Sequence, residues 1–75
     1  MNFNEFLVTL KEEDLQNICF DKTKSLSNTV YFIKKDTNRI VYTTDERAAV
    51  YGKIREFDNE KDAVENALKR LRAYK

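Results

Sequence analysis

At 75 residues, 41% hydrophobic and 36% charged, the chain has room for one domain with a small core, of a kind that rarely nets more than about 3–5 kcal/mol of stability. A formal net charge of +1 argues against a wholesale electrostatic grip on nucleic acid or on an anionic membrane. With no histidine, one glycine and one cysteine, the sequence lacks the usual general base near neutral pH, a Cys–His nucleophile pair, a zinc ligand set, a phosphate-cradling loop and any intrachain disulfide.

We therefore read a domain that is not an enzyme and needs no cofactor or metal. No stretch is long and apolar enough for a transmembrane helix. The amino end lacks the positive region and continuous apolar core of a signal peptide, which points to cytoplasmic residence and no membrane partner.

Residues 2–20 carry Phe3, Phe6, Leu7, Leu10, Leu15 and Ile18 at helical intervals, interrupted by the polar run Lys11-Glu12-Glu13-Asp14. The pattern predicts a helix over 3–19, with the polar run outward; a break near Glu12 into two short helices is the other way to satisfy it. Cys19, inside this apolar pattern, reads as a small buried hydrophobe. The polar, aperiodic stretch DKTKSLSN (21–28) reads as a loop with Leu26 as its anchor to the core.

Three strand-like runs follow, over 29–35, 39–44 and 50–57. The first two are β-branched and aromatic and flank Asp36-Thr37-Asn38, whose short side chains bond readily to nearby backbone, so they read as a hairpin. In the third, Val50 and Ile54 share one face, while Tyr51 and Phe57 share the other with Lys53 and Arg55. Gly52 within it suggests a bulge.

The last segment is the most strongly patterned. Ala63, Val64, Ala67, Leu68, Leu71 and Tyr74 fall on one face of a helix predicted over 59–74. Asp58 or Asn59 is positioned to cap its first turn. Acids crowd its amino end and Lys69, Arg70, Arg72 and Lys75 its carboxyl end, which complements the helix dipole. The fold class expected is α+β: one domain, α-β-β-β-α, with a three-stranded antiparallel meander packed against helices on one face.

Two constellations suit binding. Asp45-Glu46-Arg47, between the second and third strands, offers two acids and a guanidinium flanked by Tyr42 and Tyr51; Tyr and Arg are enriched at interface hot spots because they combine large contact area with directed hydrogen bonds. Lys34, Lys35, Arg39, Lys53 and Arg55 interleave with Tyr31, Tyr42 and Tyr51, a pattern suited to phosphate contact and base stacking. Each also has an ordinary reading, as a local turn and as a solvated face. The candidate partner-binding residues are Tyr42, Asp45, Glu46, Arg47, Tyr51 and Arg55.

The segment VYFIKKDTNRIVYTTDERAAVYGKIREFDNEKDAVENALKRL (residues 30–71) resembles small immunity proteins of bacterial polymorphic-toxin and contact-dependent inhibition systems, of the immunity-protein-fifty-nine type. The shared pattern is a hairpin ending in an aromatic, a Glu-Arg pair, a strand closing in Phe, and an acidic helix start with alanine. Here it falls on Tyr42, Glu46, Arg47, Phe57, Glu60 and Ala63. It departs at Ala48, where such patterns often carry glycine. The resemblance implies an antitoxin that binds a cognate protein toxin domain and occludes its active site, with Glu46 and Arg47 as candidate contacts. The three strands and following helix are also similar to the arm-binding domain of tyrosine integrases, which implies as alternative a nucleic-acid-binding module that reads DNA with its sheet.

Overall fold

The computed structural model describes residues 2–73 and has two helices on one face of a four-stranded mixed sheet. The first helix, α1 (Phe3–Glu12), starts with a reciprocal cap: the Asn2 side chain accepts from Glu5 N–H at 2.8 Å, and Glu5 reaches back to Asn2 N–H, so two otherwise orphaned donors are satisfied together.

The expected helix over 3–19 stops at Glu12, and the reason lies in the polar run. Asp14 adopts φ 55°, the left-handed conformation that ends helices. Its N–H donates to Lys11 O at 3.3 Å, and Leu15 N–H donates to Leu10 O at 2.8 Å, so the terminal carbonyls are satisfied and Leu15 folds back beside Leu10 in the core.

The chain then forms a strand where a helix was expected. Strand β1 (Ile18–Cys19) runs parallel to β2 (Val30–Lys35), pairing Ile18 with Val30. The expected three-stranded antiparallel meander is thus corrected to four strands in the order β1-β2-β3-β4, with one parallel edge. Cys19 is buried as anticipated, but on this strand; its thiol donates to Asp21 O at 3.3 Å.

β2, β3 (Asn38–Thr44) and β4 (Val50–Phe57) pair antiparallel in chain order. Asp36, at φ 53°, supplies the left-handed residue of the tight β2–β3 turn. Helix α2 (Glu60–Arg72) is capped by Asn59, whose side chain accepts from Asp62 N–H at 2.8 Å. Tyr74, expected on its apolar face, lies outside the described residues.

The pleat of the sheet separates two apolar clusters. On the helix side, Val30, Phe32 and Val41 pack with Phe6 and Leu10 of α1 and with Ala63, Val64, Ala67, Leu68 and Leu71 of α2, and Phe57 joins from β4. On the other side Cys19, Tyr31 and Ile33 form a smaller cluster with Ile40 and Tyr42. The helix ends are tied by Arg72 and Glu13, 2.6 Å apart, and this partner holds the Arg72 guanidinium pKa above its ordinary value.

The loop 20–28 covers part of the second face by a device other than the expected one. Leu26 is 42% exposed; the anchor is the Tyr31 hydroxyl, which accepts from Leu26 N–H at 2.8 Å and donates to Lys24 O at 2.6 Å.

Candidate functional site: strand β4 and the turn before it

Strand β4 is an edge of the sheet, and every residue from Val50 to Glu56 is exposed. Its register explains how its side chains divide. Thr43 pairs with Tyr51 and Val41 with Arg55, so Gly52, Lys53 and Ile54 together oppose Tyr42 alone. This is the bulge anticipated at Gly52, whose φ of 75° falls where L side chains are strained.

The two surplus residues preserve the alternation of faces. Tyr51, Arg55 and Phe57 lie on the helix side, opposite Thr43, Val41 and Arg39. Val50, Ile54 and Glu56 lie on the other side, with Thr44, Tyr42 and Ile40. The division read from the sequence for Val50 and Ile54 against Tyr51, Phe57 and Arg55 holds.

The turn from β3 to β4 is built by Asp45. Its Oδ1 accepts from Arg47 N–H at 2.9 Å and from Ala49 N–H at 3.0 Å. Its backbone N–H donates to Ala49 O at 2.8 Å, and its carbonyl accepts from Asn28 and Ala48 N–H at 2.9 and 3.0 Å. This carboxylate is committed to the chain's own backbone. Ala48 has φ 63°, so the turn takes the conformation that glycine suits without having glycine there. Glu46 and Arg47 stand exposed at its tip.

The six candidate residues do not form one patch. Tyr42 is half-buried on the face away from the helices, stacked on Tyr31 with ring centroids 4.8 Å apart and planes 5° from parallel. Burial, then the neighbouring Tyr31 and Cys19, push its phenol pKa up. Tyr51 is 67% exposed on the helix side. Arg55 lies on that side too, its guanidinium carbon 5.6 Å from the Phe57 ring centre, within cation–π range. Glu46, Arg47 and Tyr51 lie at one end of β4, with Arg55 further along; Asp45 is taken up in holding the turn and Tyr42 in packing against Tyr31.

Sequence reasoning missed Arg70, which it took for a dipole-complementing charge. From α2 it donates Nε to Asn66 Oδ1 at 2.8 Å, Nη1 to Thr43 Oγ1 at 2.9 Å and Nη2 to Lys53 O at 3.0 Å. It forms one wall of an open groove of about 360 Å³ that is also lined by Thr43, Tyr51, Gly52 and Lys53. The signal available was the bulge itself, since surplus residues leave a carbonyl without a ladder partner.

Nothing in this region assembles a metal site: among the described residues no cluster of His, Cys, Asp or Glu could hold an ion, and no helix is long and apolar enough to cross a membrane. What β4 offers is contact area, with Val50 and Ile54 at 49% and 58% exposure on one face and Tyr51 on the other. Comparison of the chain with models of known protein families, with curated proteins and with solved structures finds no match to any of them.

Proposed function

We propose that this chain is an immunity protein that docks on a cognate toxin domain through strand β4 and the Asp45–Ala49 turn, covering that domain's active site. The observation that carries the reading is the composition of β4: an edge strand that buries none of Val50, Tyr51 or Ile54. Large apolar and aromatic side chains held on a rigid sheet edge are what the centre of a protein interface uses.

The mode of docking follows from the bulge. Surplus residues and Lys53 interrupt the outer row of backbone donors and acceptors, a common protection against strand addition. Recognition therefore runs through side chains: Tyr51 as anchor, Val50 and Ile54 as apolar flank, Glu46 and Arg47 as the polar rim that sets register. Charged rim groups set orientation and specificity more than affinity.

The nucleic-acid alternative has weaker support. Lys34, Arg39 and Arg55 share the helix side of the sheet, whereas the opposite face carries Ile40, Tyr42, Val50, Ile54 and Glu56, with Lys35 of the basic set at its end. A sheet laid in a DNA groove needs its cations on the face turned away from the helices.

The test is co-expression with the toxic carboxyl-terminal domain encoded beside this chain's gene. The wild-type chain restores growth and co-purifies with the domain, and Tyr51→Ala with Arg47→Glu abolishes both while leaving the fold intact. Absence of both rescue and complex with the wild-type chain refutes the reading. Salt-sensitive duplex DNA binding by the isolated chain would instead favour the alternative.

A further inference from the structure

At the other end of the sheet, away from the β3–β4 turn, Phe3, Phe20, Phe32, Lys34, Arg39 and Glu60 line a cavity of about 270 Å³, just below the usual range for drug-sized ligands and so suited to a smaller one. Its walls are aromatic. Phe3 and Phe20 meet edge-on with centroids 5.7 Å apart, Phe20 and Phe32 at 6.1 Å, and Phe3 and Phe32 at 5.7 Å. Phe20 remains 44% exposed despite these contacts, whereas Phe32 beneath is 3% exposed. An open aromatic edge over a closed aromatic floor is a receptor for a ring.

The rim is cationic, at a cost to the sheet. Lys34 and Arg39 are direct cross-strand partners in the β2–β3 ladder and share the helix side, and like charges placed opposite each other destabilise a sheet. The guanidinium is steadied by its own turn, with Nη1 donating to Thr37 O at 3.1 Å. That leaves Nε and Nη2 to meet a carboxylate in the two-pronged geometry arginine favours. Among the described residues Glu60 is the one acid of the lining, against the two cations Lys34 and Arg39, so their side chains leave the rim positive.

We propose that this cavity binds a small aryl carboxylate, its ring packed against Phe3, Phe20 and Phe32 and its carboxylate between Lys34 and Arg39. The anion relieves the repulsion between the paired cations, and Glu60 biases the site toward monoanions over polyanions such as nucleotides. The site is independent of the β4 docking surface and stands whether or not that surface binds a toxin.

The experiment titrates the isotope-labelled full chain with sodium phenylpropanoate, and separately with phenylpropylamine, which has a comparable ring and the opposite charge. Saturable NMR shifts at the Phe3, Phe20 and Phe32 rings and at Arg39 are expected with the acid and not with the amine. Lys34→Gln, a change at an exposed side chain, and Arg39→Gln should each weaken binding about tenfold, in line with loss of one charge-assisted bond. No saturation at millimolar acid overturns the proposal, as does equal binding of the amine or shifts confined to the Thr43–Arg70 groove. Undiminished affinity in Lys34→Gln, which is not expected to perturb folding, overturns it as well.

Discussion

Arg70 Nη2 donates to the carbonyl oxygen of Lys53 at 3.0 Å, joining the last helix to the bulge of the edge strand. Both residues could be read as surface cations, yet one of them holds the other's backbone in place. The same guanidinium reaches Thr43 Oγ1 on the neighbouring strand. The bulge, which breaks the ladder, is thereby pinned at the groove wall by a planar fork that lysine cannot reproduce.

Replacing that fork should loosen β4 specifically. Arg70→Ala removes the bonds to Asn66, Thr43 and Lys53, and we expect a loss of about 1–2 kcal/mol, because partly exposed partners recover some hydrogen bonding from water. Arg70→Lys should recover only part of this. Urea unfolding measures the loss, and amide exchange should quicken at residues 50–55 more than in β2. Uniformly faster exchange would mean that Arg70 supports the whole fold and not the bulge.

Ala48 offers the reverse test. Its φ of 63° is left-handed, which costs an L residue about 1–2 kcal/mol relative to a right-handed conformation, while glycine there loses more chain entropy. Ala48→Gly should raise stability by about 0.5–1 kcal/mol, and a β-branched Ala48→Val should lower it. Matched urea midpoints for wild type and Ala48→Gly would sink this account of the turn.

The elements that sequence made legible are those whose pattern repeats. Helix α2 carries its apolar face through successive turns, and the hairpins have long β-branched runs beside short polar turns; both were readable in type and nearly in extent. Residues 13–20 were not readable, because a helix and its stop compete there over a few residues. Leu15 and Ile18 continue the helical spacing, and only the left-handed Asp14, with Leu15 N–H turned back to Leu10 O, decides for the stop. β1 consists of Ile18 and Cys19 alone, too short to leave any periodic trace. The candidate site was legible by residue type but not by grouping: Tyr42 and Tyr51 flank one turn in sequence, and the pleat sends them to opposite faces.

Tyr31 shows how a loop without periodicity is still specified. Its hydroxyl serves as acceptor for Leu26 N–H and donor to Lys24 O, while its ring is 2% exposed. Tyr31→Phe keeps the ring and strands both backbone groups, with an expected loss of about 1–2 kcal/mol. Amide exchange should rise through residues 22–28 and stay unchanged in α2. Protection of Leu26 N–H equal to wild type would refute the assigned anchor.

The half-buried Tyr42 phenol makes stability fall in alkali. Burial and the neighbouring Tyr31 and Cys19 raise the Tyr42 pKa above its ordinary 10.0, so the folded chain holds this proton more tightly than the unfolded chain does. That contribution is whole below about pH 10 and is lost as pH climbs from the unfolded value through the raised folded one. Wild type should therefore lose stability more steeply above about pH 10 than Tyr42→Phe, which has no phenol to ionise there. Ultraviolet tyrosinate titration should show a late-ionising component that is missing from Tyr42→Phe. Parallel stability curves for the two chains across that alkaline range would rule out the linkage, since the proton would then be held equally in both states.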